Sequence, residues 1–285
     1  MCIRDSVGAK RGPKVPVDSK FITVGTALSE GTVTSYLEHN GRRIRLLSSP
    51  VGTSPDVIQE LSWSASVESH GELIVQDTKK GRKLILSASR VDYTKGNEAL
   101  LLTFERLLER REDLHGEVVL MLACVAAASG MKIYEDTQRT IEEIAGRING
   151  RFSKIEWVPI RFSTRRIPYD EMVAWFCQAD VCWITPLRDG LNLVAKEYAA
   201  ARRNRGGVLV LSEFTGASVV LDGAVLTNPY SNKRMDEAIE KALSMDSEAQ
   251  RDRMTRMCTA VENYTVKDWA EEQLGGCEPL MTTPE

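Results

Sequence analysis

The chain has 285 residues, of which 42% are hydrophobic and 27% charged, with a formal net charge of -3. That is an ordinary globular composition with room for a sizeable core. The small net charge gives no bulk electrostatic reason to expect nucleic-acid or membrane partners, and no apolar run approaches the roughly 20 residues of a membrane span. The opening MCIRDSVGAKRGPK lacks the apolar stretch of a secretory signal.

Residues 1–55 carry two short strand candidates, Phe21–Val24 and Ile44–Leu47, and an Asn40-Gly41 turn signal, before Pro50 to Pro55 breaks regular structure. This stretch holds too little apolar material for its own core and reads as the end of a domain that begins earlier. Residues 56–80 read as a polar connector, helical in places. From Lys83 the pattern is regular. Strands are expected at Leu84–Ser87, Val118–Leu122, Ile155–Val158, Val181–Ile184, Val208–Leu211 and Ala224–Leu226. Helices are expected at Gly96–Arg110, Ile133–Ile148, Tyr169–Gln178 and Leu191–Ala201, with a charged helical end from Met235 and a tail over 271–285. Continuous apolar strands alternating with amphipathic helices imply an α/β fold with a parallel sheet covered on both faces. Ligands of such sheets bind beyond the carboxyl ends of the strands.

The six cysteines form no CxxC pair, and the three histidines lie far apart, so no metal site is expected. Cys124, Cys177 and Cys182 fall in apolar runs and read as reduced core residues, which suits the cytoplasm. Trp157, Trp175 and Trp183 read as core, and Arg202 to Arg205 as a solvated basic loop.

Three strand-end loops carry candidate chemistry. In Ser87-Ala-Ser-Arg-Val-Asp-Tyr-Thr-Lys-Gly96, Arg90 and Lys95 precede a helix start, an arrangement that suits a diphosphate; a solvated basic loop is the other reading. In Thr185-Pro-Leu-Arg-Asp-Gly-Leu-Asn-Leu-Val-Ala-Lys-Glu197, Asp189-Gly190 permits a tight turn and leaves free N–H donors for sugar or phosphate oxygens. There Asp189 can accept from hydroxyls or serve as a helix N-cap, and Glu197 can hold ribose hydroxyls or face solvent. Ser212-Glu-Phe-Thr-Gly216 is a weaker third signal. GxGxxG and Walker motifs are absent, which disfavours dinucleotide dehydrogenases and P-loop NTPases.

SASRVDYTKG, GRINGRF, TPLRDGLNLVAKEY, GVLVLSEFTGA and LTNPYS occur in the order and spacing of the trehalose-6-phosphate synthase family of retaining glycosyltransferases, which the chain resembles over roughly residues 40–270. The resemblance implies a Rossmann-like donor domain over 56–270. It would be the C-terminal half of a two-domain GT-B enzyme, with 1–55 a remnant of the acceptor domain. It implies small-molecule substrates, and no metal or other cofactor. By the same resemblance, Arg90 and Lys95 would bind the donor diphosphate and Asp189, with the backbone of Gly190, Leu191 and Asn192, would hold the glucose. Leu193, Val194 and Glu197 would meet phosphate and ribose, and backbone around Arg161–Ile167, Ile167 included, would meet the base. Arg90, Lys95 and Asp189 are the expected catalytic groups.

One departure separates subfamilies. Trehalose-phosphate synthases carry Pro-Thr-Ser-Arg after the second strand, whose Arg grips glucose 6-phosphate; Ala126-Ala-Ala128 stands there in this chain. The surrounding LACVAAASGMKIYEDTQ and VCWITPLRDGLNLV resemble the branch of the family that transfers glucose from ADP-glucose to glycerol 3-phosphate.

Overall fold

The computed structural model describes residues 10–11, 33–39, 42–126 and 131–275. The expectations for Phe21–Val24, Asn40-Gly41 and Ala128 lie outside the described residues.

Strands β1 (Lys10–Arg11), β2 (Val33–His39) and β3 (Arg42–Ser48) form an antiparallel sheet in which Val33 pairs with Ser48 and His39 with Arg42. The second sheet is wholly parallel and six-stranded: β4 (Lys83–Arg90), β5 (Val118–Val125), β6 (Ile160–Ser163), β7 (Val181–Ile184), β8 (Val208–Ser212) and β9 (Val225–Thr227), in the order β6-β5-β4-β7-β8-β9. Its strands are near-continuous apolar runs because helices cover both faces. Side chains alternate between two cores. Ile85, Leu120, Trp183 and Val210 meet α3 (Asn97–Arg110), α4 (Lys132–Phe152) and α7 (Asn232–Ser244). Leu84, Leu86, Cys182 and Leu211 meet α1 (Pro55–Ser62), α2 (Ala65–Ile74), α5 (Tyr169–Gln178), α6 (Leu193–Ala201) and α8 (Ser247–Glu262).

Four expectations need correction. Residues 56–80 are helical as expected but are more than a polar connector: α1 and α2 bury Ile58, Val67 and Ile74 in the second core, and a π-helical turn follows at Val75–Lys79. Ile155–Val158 is not a strand. Ile155 is wholly exposed, Lys154 and Trp157 close a tight turn, and Trp157 turns inward to donate its indole N–H to the Val118 carbonyl at 2.7 Å. Pro159 follows, and the strand begins one residue later. Arg202 is not solvated: it is buried, donating to the carbonyls of Cys177 and Gly206. Residues 271–275 belong to α9 (Val266–Gly275) rather than to a tail. The four described cysteines are free and buried, and Trp157, Trp175 and Trp183 are core.

The segment entering this domain is held by its far end. Ser49 donates to Glu272, and the Trp269 indole donates to the Ser49 carbonyl; Val266 N–H donates to Thr53 O at 2.7 Å. Gly52 presses against this junction: a Cβ there would lie 2.2 Å from the Thr265 carbonyl carbon. Because the obstacle is backbone, it yields only if the segment lifts off. Gly52→Ala is expected to cost about 1–3 kcal/mol, as an overpacking substitution does. Urea unfolding and faster hydrogen exchange at Val266 would report it.

Candidate functional site at the strand ends

Three loops at the carboxyl ends of β4, β7 and β8 are stitched together through their backbones. After β4, Asp92 caps a 3-10 turn at Tyr93–Lys95, its Oδ1 accepting from the N–H and the hydroxyl of Thr94, each at 2.8 Å. Gly96 then takes φ 70° and starts α3. A Cβ on Gly96 would lie 2.3 Å from the Thr185 carbonyl oxygen, so only glycine lets the two loops meet. Leu187 N–H donates to Thr94 O at 2.8 Å across the same seam. The loop after β7 meets the loop after β8 likewise: Asp189 N–H donates to Phe214 O (3.1 Å) and Gly216 N–H to Asp189 O (3.0 Å). A Cβ on Gly216 would lie 2.2 Å from Gly190 O.

This stitching brings together two predicted site residues from distant loops. Lys95 Nζ lies 2.7 Å from Asp189 Oδ2, with the two side chains only 19% and 15% exposed. Asp189 also accepts from Asn192 Nδ2 (3.2 Å) and Leu191 N–H (3.4 Å). The N-cap reading of Asp189 is corrected: Asn192, at φ 73°, caps α6, its Oδ1 accepting from Ala195 N–H at 3.0 Å. Arg90, at the end of β4, is exposed and has no ion-pair partner among the described residues, and the same is true of Arg188 beside Asp189. The positive charge of Lys95 is therefore offset by Asp189, while the two guanidinium groups have no such partner among the described residues. Gly190 is exposed, so the turn preceding α6 presents backbone to solvent.

The remaining predicted residues line the start of α6 and the approach to α5. Leu193 is exposed, while Val194 and Ile167 are partly buried against the core. Glu197 is half-buried. Burial raises its carboxyl above the ordinary carboxylate range, and a 3.4 Å hydrogen bond from the Tyr169 hydroxyl opposes that rise. Lys196 is buried, donates to the Val51 carbonyl at 2.9 Å, and burial lowers its pKa to about 8. Sequence reasoning missed Tyr169, Lys196 and Arg188 as neighbours of the site. No periodicity marks a contact between different helices, and Arg188 lay unremarked inside a motif already noted.

The parallel sheet and the glycine-pinned loops at its strand ends form a Rossmann-like domain. The chain matches Glycosyltransferase family 20 over residues 17–278 and belongs to that family. It is 49% identical to the glucosylglycerol-phosphate synthase of Synechocystis sp. over 92% of this chain and 52% of that protein. It is 36% identical to the UDP-forming α,α-trehalose-phosphate synthase of Pichia angusta over 82% of this chain and 49% of that protein. A solved UDP-forming α,α-trehalose-phosphate synthase from Burkholderia xenovorans, in complex with glucose-6-phosphate, superposes with a TM-score of 0.83 at 32% identity, covering 95% of this chain and 56% of that one. The chain thus spans about half the length of the curated relatives it matches.

Two outcomes are expected from this geometry. Gly96→Ala adds a backbone clash to an unfavourable φ and is expected to cost about 2–4 kcal/mol, measured by denaturant titration. Glu197 has a folded-state pKa raised above its ordinary value of 4.5, so stability falls as pH climbs from that value through the raised one. Glu197→Gln should therefore raise the thermal midpoint of the ligand-free chain at pH 7. The gain should vanish by about pH 3, where Glu197 is neutral in the folded and the unfolded chain alike.

Proposed function

We propose that the strand-end site binds the nucleotide-sugar donor of a glucosyl transfer. In the whole protein, glucose would pass from ADP-glucose to glycerol 3-phosphate, giving glucosylglycerol phosphate with its anomeric configuration retained. The observation that carries this reading is the meeting of Lys95 with Asp189 where β4 hands over to α3, in the loop that starts from Arg90, an exposed cation with no ion-pair partner among the described residues. A planar guanidinium and a mobile ammonium suit the two phosphates of an activated sugar. Asp189 and the backbone around Gly190, Leu191 and Asn192 suit glucose hydroxyls, and Glu197 suits the ribose.

The chemistry follows from charge. As the glycosidic bond to the diphosphate breaks, negative charge grows on the leaving oxygen, and Arg90 and Lys95 stabilise it there. Removing one preorganised hydrogen-bond donor to developing negative charge costs about 2.7–4 kcal/mol in another enzyme. The acceptor hydroxyl attacks from the face that the diphosphate leaves, and a diphosphate oxygen takes its proton. In this reading the two cations supply the neutralisation, with no metal or other cofactor. Most acceptor contacts in this reading belong to the part of the longer relatives that this chain does not span. The buried free thiols among the described residues suit a reducing cytoplasm as the place of action.

The choice of acceptor rests on 49% identity to a glucosylglycerol-phosphate synthase and on Ala128 at the place of a phosphate-gripping Arg. Glucose 6-phosphate is the second reading, favoured by the likeness to the trehalose-phosphate synthase structure. A donor-binding unit without turnover of its own is the third.

Calorimetric titration of the chain with ADP and ADP-glucose tests the donor site. Arg90→Ala is expected to weaken both by about tenfold or more, the worth of one charge-assisted contact. Unchanged affinity would reject the role of Arg90. In a full-length relative carrying the same motifs, glycerol 3-phosphate should be glucosylated in preference to glucose 6-phosphate; the reverse preference would select the second reading.

A further inference from the structure

We infer that the Lys95–Asp189 ion pair makes the site discriminate the intact donor from the nucleoside diphosphate that remains after transfer. The inference rests on the donor reading above and concerns how its two halves share one cation.

In the ligand-free chain the Lys95 ammonium is already taken. It lies 2.7 Å from Asp189 Oδ2, and both side chains are largely shielded from water. The ammonium has three N–H donors but one charge, so a diphosphate that engages Lys95 weakens its hold on Asp189. A nucleoside diphosphate alone offers nothing in return, so the shielded carboxylate loses part of its compensation, and an under-compensated charge in such a place is costly. An intact nucleotide sugar brings glucose hydroxyls that donate to Asp189 as Lys95 turns to the phosphates. The exchange is then complete on both sides. Once glucose has been transferred the hydroxyls leave, and re-formation of the ion pair competes with the diphosphate and favours its release. Asp189 thus determines specificity through Lys95 as well as through the sugar.

The remaining contacts of Asp189 keep the loop in place during this exchange. Its backbone bonds to Phe214 and Gly216 do not involve the carboxylate, and Leu191 N–H and Asn192 Nδ2 approach it independently of Lys95. Asp189→Asn therefore removes the charge while leaving the loop its backbone anchors.

The test is calorimetric titration of the chain and its variants with ADP and ADP-glucose, repeated with UDP and UDP-glucose to cover either base. Freed from its partner, Lys95 should serve the diphosphate fully. Asp189→Asn is expected to tighten ADP or UDP by about tenfold, one charge-assisted contact, and to leave the sugar nucleotide unchanged or weaker, so that the preference for intact donor collapses. Adding Lys95→Met should abolish the gain, since the gain needs the ammonium. A purely structural role for Asp189 would weaken every ligand together. Weaker or unchanged diphosphate binding by Asp189→Asn overturns the inference. If Arg90→Ala still weakens the diphosphate in that case, the donor reading survives it; if the wild-type chain binds none of the four nucleotides, both fall.

Discussion

Two places where backbone lies against backbone hold the site together. Gly96 sits against the Thr185 carbonyl and Gly216 against the Gly190 carbonyl, so close that a single methyl group would overlap the opposing chain. Around these contacts Leu187 bonds to Thr94, and Asp189 bonds to Phe214 and Gly216. The loops leaving β4, β7 and β8 become one hydrogen-bonded body. Lys95 and Asp189, 94 positions apart in sequence, meet as a consequence. The ion pair is thus the outcome of loop packing more than its cause, since a shielded salt bridge by itself contributes little net stability.

The body needs a fixed foundation, and α3 supplies part of it. Its inward face buries Leu100, Leu101, Phe104, Leu107 and Leu108 on the sheet. Its flanks are held by charge: Glu105 takes Arg147 and Arg151 from α4, and Arg106 and Arg110 grip Asp236 of α7. With the helix held on three sides, its N-terminus and the partial positive charge there keep a constant position beside Lys95. On the opposite face, α6 is anchored through buried Lys196, which holds the Val51 carbonyl of the entering segment. The same segment is tied to α9 at Ser49 and Thr53, so one helix lined with predicted donor-site residues also touches the chain that leads in from the antiparallel strands.

Most of this architecture was legible in the sequence because it depends on local pattern. The Tyr169–Gln178 helix and the Val181–Ile184 strand stand where periodicity placed them. Errors arose where tertiary contact overrode pattern. Ile155-Glu-Trp-Val158 has strand-like residues, yet the buried Trp157 and the following Pro159 make it a turn. Arg202 stands in a basic run, yet its guanidinium is buried, donating to the Cys177 and Gly206 carbonyls of the same chain. At the site, motif order identified the loops, and their strand-end location followed from the fold class. The neutralisation of Lys95 by Asp189 was not legible, since no local pattern places the loop after β4 against the loop after β7. Nor was the role of Asn192 as the cap of α6, because Asp189 is an equally good capping residue by type.

The most direct measurement is a crystal structure of the chain grown with a nucleoside diphosphate, ADP or UDP. The account predicts phosphate density beside the Gly96 turn, within hydrogen-bond reach of the Arg90 guanidinium, with Lys95 Nζ moved from Asp189 toward the phosphates. Density for the diphosphate at another place on the fold, with Arg90 free and the loops undisturbed, would contradict it.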